Sequence, residues 1–196
     1  MSIKNKIVVS TLSLFTCFTL YYFFVYNVYR GEINTQASYI SHDTAIELTN
    51  SAELILIGTP IHEFKDREHV VKNYTSGAIQ DFYTVTDIKV EKILKGEWDL
   101  NSPLPVIEPV AYIQRIDGQR KITTDHYIEM KKDTKYLVTL AKNTSGNYSI
   151  INMQNGVFNL NVEGESLSER KNTSDKNSSK HEKIRHDLIN MFSITP

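Results

Sequence analysis

Along much of this chain, apolar and polar residues alternate at every second position between short turn signals, and a period of two marks half-buried β-strands. The clearest case is residues 81–96, where Phe82, Thr84, Thr86, Ile88, Val90 and Leu94 fall on one face and Tyr83, Asp87, Lys89 and Glu91 on the other. Lys92 breaks the apolar face, and Lys95-Gly96 supplies a turn before the lone Trp98. Leu54-Ile55-Leu56-Ile57 is apolar on both faces, as in a strand wrapped into a barrel, and Gly58 and Pro60 predict a bend or bulge. Residues 65–80 read as a long polar connection. Pro103, Pro105 and Pro109 bracket Val106-Ile107 and confine a third strand to an edge or bulged position. Asp117-Gly118 predicts a hairpin turn between Ile116 and Ile122, Ser145-Gly146 a second, and Asn155-Gly156 a third before the alternating Phe158, Leu160 and Val162. The pattern predicts a small antiparallel barrel or sandwich over residues 44–163. Its inward set includes Leu56, Ile88, Val90, Leu140, Phe158 and Leu160.

Three segments depart from that period. Residues 7–29 carry no charge, and at about 1.5 Å per residue they cross a hydrocarbon layer of roughly 30 Å as one helix. Tyr21, Tyr22, Tyr26 and Tyr29 crowd its far end, where amphipathic rings favour the interface. The alternative is a cleaved signal peptide with a small-residue site at Thr35-Gln36-Ala37. Lys4 and Lys6 outweigh Arg30, so the positive-inside rule puts residues 1–6 in the cytoplasm and everything after the span outside. Residues 30–43 read as a polar spacer. Thr44 and Glu47 have the spacing of a capping box, with Ala45, Leu48 and Ala52 on one helical face. Residues 164–178 are a polar linker in composition. Over 179–196, Ser179 and Glu182 repeat the capping spacing, and Ile184, Leu188, Met191 and Phe192 form a stripe that docks on the barrel or, failing that, on a partner or membrane surface.

Charge narrows the partners. After residue 30 the chain holds 19 basic and 23 acidic residues, a net charge of −4, which fits poorly to nucleic acid phosphates. Cys17, the single cysteine, lies in the apolar segment and permits neither an internal disulfide nor a cysteine zinc site. No cofactor motif is present. His62, Glu63, Asp66, Glu68 and His69 crowd one junction, and two histidines with a carboxylate are the minimum of a metal site, but the spacing is not that of ligands on one helix face. Asp125-His126 is half of an acid–base pair with no nucleophile elbow to complete it.

Residues 52–58, Lys92-Ile93-Leu94-Lys95-Gly96, Lys135-Tyr136-Leu137-Val138-Thr139-Leu140 and Asn155-Gly156-Val157-Phe158 resemble a group of small secreted or membrane-anchored domains of Gram-positive bacteria. The resemblance implies an OB-like β-barrel. Where a glycine commonly precedes the Tyr-Leu-Val strand of that group, this chain has Asp133-Thr134-Lys135. The barrel is also similar in outline to netrin-like metalloproteinase inhibitors, whose N-terminal zinc-chelating cysteine has no counterpart here. Two function classes follow as expectations. One is a membrane-anchored extracytoplasmic module that binds a protein or peptide without catalysis, using the barrel mouth and the 65–80 connection. The other is an envelope hydrolase assisted by a metal on His62 and His69.

Overall fold

The computed structural model describes residues 3–161 and 175–194, apart from the side chains of residues 4, 6 and 175–178. The chain is mainly β, with a closed five-strand barrel between an apolar N-terminal helix and a C-terminal helix. Helix α1 (Ile3–Tyr21) continues through a π-helical turn (Tyr22–Tyr26) into strand β1 (Tyr29–Thr35). Then come α2 (Ala45–Ser51), β2 (Leu54–Pro60), a 3₁₀ turn (Phe64–Asp66), β3 (Glu68–Asn73), β4 (Ile79–Lys95), β5 (Leu104–Glu108), β6 (Val110–Arg115) and β7 (Gly118–Thr124). The chain closes with β8 (Tyr136–Lys142), β9 (Tyr148–Ile150), a 3₁₀ turn (Met153–Gly156), β10 (Val157–Asn159) and α3 (Asp175–Met191).

Strand β4 organises the barrel. Its outer half pairs with β3, its middle with β5 and its last residues with β2. The ring then runs from β2 to β8, from β8 to β9, and closes where β9 meets β5. Every step is antiparallel except β5 with β9, which is parallel at Ile107 and Ser149. Taken in chain order, the barrel strands lie first, second, third, fifth, fourth and back to first around the wall. This is the connectivity of an OB-like barrel, with one parallel contact in a barrel otherwise antiparallel as expected. The third strand is therefore a wall strand and not an edge, although its bond to β9 is confined to one position.

Inside the barrel lie Leu54, Leu56, Ile88, Val90, Leu104, Val106, Val138, Leu140 and Val157, closed at the ends by Phe64, Tyr127, Met130 and Trp98. Phe158 and Leu160 are not among them. They lie outside, in a second core that α2 and α3 build against the barrel with Ile55, Ile57, Leu137, Ile184 and Leu188. Leu94 is on the outside too, while Ile93 packs inward. The cause is a bulge on β4, where Gly58 pairs with Val90 but Ile57 pairs with Lys92. One unpaired residue, Glu91, flips the side-chain parity beyond it. Gly58 is required at this crossing, since a Cβ there would stand 2.5 Å from Ile88 Cγ2 and 2.8 Å from the Lys89 carbonyl.

The capping box forms as expected. Thr44 Oγ1 accepts from Glu47 N, and Glu47 Oε2 accepts from the N–H of Asp43, the residue before the cap. Helix α3 starts at Asp175, ahead of Ser179, which is therefore helical and not a cap. Its stripe docks on the barrel through fully buried Ile184 and Leu188, while Met191 stays exposed. Most of the expected 164–178 linker lies outside the described residues.

Two expected loops are strands. The 65–80 connection folds back as the β3–β4 hairpin, and the 30–43 spacer opens with β1, which pairs in parallel with β7. Strands β1, β7 and β6 form a separate three-stranded sheet with β7 at its centre. The β6–β7 turn is Ile116-Asp117, one residue earlier than expected. Gly118 follows at φ +132°, and a Cβ on it would stand 2.5 Å from the Val28 carbonyl.

Candidate binding cleft

A cleft of about 850 Å³ separates the three-stranded sheet from one end of the barrel. One wall is β1 and its continuation, with Ile33, Thr35 and Gln36, joined by Arg115 and Ile122. The opposite wall is the β3–β4 hairpin, with Lys72 and the Gly77–Tyr83 stretch, and the β8–β9 turn closes it with Asn143, Thr144 and Asn147. In barrel order these are the loop between the first and second strands and the loop between the fourth and fifth, beside the second and third strands. OB-like barrels bind extended ligands on that face and between those loops.

The local chemistry suits a polar chain with apolar side groups. Phe82, Ile79 and Val71 pack against Ala111, Ile113 and Ile122 to form an apolar patch between the hairpin and the sheet. Lys72 Nζ sits 5.5 Å from the centre of the Tyr83 ring and 3.8 Å from Asp81. Arg115 is exposed, and its guanidinium has no hydrogen-bond or ion-pair partner among the described residues. The β8–β9 turn presents amides held in place by Asn143 Oδ1, which accepts from Ser145 N and Asn147 N at 2.9 and 3.0 Å.

The residues singled out for chemistry are not brought together. Among the described residues no group of three or more His, Cys, Asp or Glu side chains is arranged to hold a metal ion. His62, Glu63 and Asp66 are exposed, and the His62 carbonyl is occupied by Arg67 Nε at 3.0 Å. His69 turns the other way, between the rings of Phe64 and Tyr112 at 4.8 and 5.2 Å. Its Nδ1 is 2.8 Å from Thr84 Oγ1, and Thr84 donates its own proton to Val110 O at 2.6 Å. Tyr112 N also donates to Nδ1, at 3.4 Å, and buried Nε2 has no hydrogen-bond partner among the described residues. Burial in this aromatic slot, with Arg67 close by, lowers the His69 pKa below the ordinary histidine range. Asp125 and His126 both adopt left-handed backbone, at φ +48° and +57°, and are tied to β1 through Thr35 O and the Asn34 side chain.

A heavily bonded polar group stands where the sequence did not flag one. Glu108 is fully buried inside the barrel and accepts from Arg67 Nη1 at 2.8 Å, Tyr127 OH at 2.8 Å, Met130 N at 2.9 Å and Thr86 Oγ1. Burial pushes its pKa up, while Arg67 and the donors pull it down. Four donors converge on its two oxygens, and full burial outweighs them and Arg67, so the Glu108 pKa stands above the ordinary carboxylate value. Arg67 also donates to Met130 O at 2.6 Å, so this network ties the 3₁₀ turn, β4, β5 and the 127–130 segment together at one end of the barrel. One signal for Glu108 was available, because it continues the inward alternation of Leu104 and Val106. Arg67, in a turn, carried none.

Compared with models of known protein families and with curated proteins, the chain matches none.

Proposed function

We propose that this protein is a membrane-anchored extracytoplasmic binding module that takes an extended protein or peptide segment into the cleft between its barrel and its three-stranded sheet. The observation that carries this reading is the double role of β1. It continues directly from a helix long and apolar enough to cross a membrane, Ile7–Tyr26, none of which is buried in the fold, and it also forms a wall of the cleft. Anchor and cleft are therefore one unit. Signal cleavage after Ala37 would remove an edge strand of the sheet and open the cleft on that side, which favours retention of the helix. Lys4 and Lys6 before the span favour export of the barrel, as in an envelope protein of a Gram-positive cell.

A photo-activated cross-linker at Tyr83, in intact cells of the source organism, tests both parts. The expected outcome is a discrete adduct formed from outside the membrane, lost when Lys72→Glu is added, and absent with the cross-linker at Leu100. Position 100 lies in the connection after the far end of β4. The same adducts from both positions would refute the cleft, and protection of the barrel from a non-permeating protease until the membrane is opened would refute the topology.

A further inference from the structure

The three-stranded sheet is held to the end of the apolar helix by a specific set of bonds. Tyr21 OH donates to Ile116 O at 2.5 Å, Gln114 Nε2 to Tyr26 O at 2.8 Å, Arg30 Nε to Asp117 O at 2.9 Å, and Gln119 N to Val28 O at 2.9 Å. The absence of a Cβ on Gly118 lets the chain pass this close to Val28. These bonds run down the helix and not only to its tip. Tyr21 is the last residue of α1, one π-helical turn before the end of the span at Tyr26. Side chains on a helix lean towards its N-terminus, so the carbonyl that Tyr21 reaches stands beside the last turns and not beyond them.

The turn at that level is unusual in composition. Hairpin turns ordinarily carry Gly, Asn, Asp or Pro. Here the first turn residue is Ile116, which is 82 % exposed and touches no apolar core. Arg115 and Arg120 flank it and line, with Tyr26, Ile33 and Gln114, an open cleft of about 760 Å³ beside the helix end. Asp117 pairs with Arg120 at 2.6 Å, whereas the Arg115 guanidinium is left without a partner among the described residues.

We infer that the β6–β7 turn is a second membrane contact: Ile116 enters the boundary of the acyl chains beside α1, and Arg115 lies on the phosphates of anionic lipid headgroups. A span of 20 residues fills a hydrocarbon layer of roughly 30 Å, so when Ile7–Tyr26 is inserted, the level of Tyr21 is just inside the outer edge of that layer. An isoleucine at that depth is in its preferred solvent, and guanidinium groups next to it reach the headgroup zone by snorkelling. The barrel is then fixed to the bilayer at two points, helix and turn, so the cleft keeps one orientation to the surface and does not swing on a tether. The inference rests on the membrane reading of α1.

The test uses the full chain with Cys17→Ser in vesicles of phosphatidylcholine and phosphatidylglycerol. An environment-sensitive fluorophore is placed in turn on Phe15→Cys, Ile116→Cys and Leu100→Cys. The expected result is blue-shifted emission and quenching by acyl-chain nitroxide lipids at positions 15 and 116, with position 100 quenched only by aqueous iodide. Replacing Arg115 by Glu should return the 116 probe partly to water and leave the 15 probe unchanged. A shielded probe at 15 with a fully aqueous probe at 116 overturns the inference and leaves the anchor standing. Aqueous probes at both positions overturn the anchor and the inference together.

Discussion

The barrel and the three-stranded sheet are built on different principles. The barrel buries apolar side chains on both faces, inside its own wall and again beneath α2 and α3, so β2 and β8 are covered from two sides. The sheet has a small cluster, Ala111, Ile113 and Ile122, shared with the β3–β4 hairpin and bordering the cleft, while Val110 and Tyr112 of β6 pack into the barrel core. Stability resides in the first region. The second is held by backbone pairing to β1, by bonds to the helix end, by the small cluster at the cleft and by Val110 and Tyr112 at the barrel.

The largest expected effect probes the barrel. Glu108→Ala leaves Arg67 buried without its carboxylate and should cost about 3–5 kcal/mol in urea unfolding, whereas the joint replacement Arg67→Met with Glu108→Leu should recover most of that loss. A double variant as unstable as Glu108→Ala alone would mean that the ion pair stabilises the barrel beyond what apolar packing can replace.

Next comes the contrast itself. Leu56→Ala inside the barrel and Phe158→Ala beneath the helices should each cost about 3–5 kcal/mol, because a closed wall cannot collapse into the space. Ile122→Ala should cost about 2 kcal/mol, at the low end for such changes, since the cleft side can relax. Equal losses at Leu56 and Ile122 would erase the distinction.

A chain beginning at Ser38 lacks β1 and sharpens the comparison without touching the barrel. Amide exchange in β6 and β7 should accelerate strongly while β2 and β8 keep their protection. Loss of protection throughout would show that barrel and sheet form one cooperative unit.

The smallest effect is on pH. The His69 pKa is depressed in the folded chain, so the unfolded chain binds the proton more readily, and stability present above the ordinary value of about 6.5 is lost as pH falls through the folded value. Denaturation midpoints for His69→Asn should therefore be flatter than wild type below neutral pH. The same substitution should lower stability at neutral pH through the lost Phe64 and Tyr112 packing.

Elements marked by a local repeat could be read before any fold was known. The uncharged run ending at Tyr26, the alternation through Thr84, Thr86, Ile88 and Val90, the Thr44 to Glu47 cap and the Ile184 and Leu188 stripe each follow from neighbours a few residues away. Strands β1 and β3 could not be read so, because Arg30, Glu32, Asn34, Lys72 and Asn73 give them no apolar alternation, and backbone bonds to β7 and β4 make them strands. The bulge at Glu91 could not be read either, and it decides that Ile93 and not Leu94 faces inward.

What the amino-acid sequence determined by itself is therefore the existence of the apolar helix, the principal strand and the two flanking helices, since those depend on period and capping alone. Only the tertiary structure decided that Phe158 lies beneath α3, that β5 and β9 close the ring in parallel, that Arg67 meets Glu108 across 41 residues, and that the span's end shares a sheet with one wall of the cleft. Each of those joins residues distant in the chain, and no local pattern encodes which distant partner a strand edge or a buried charge will find.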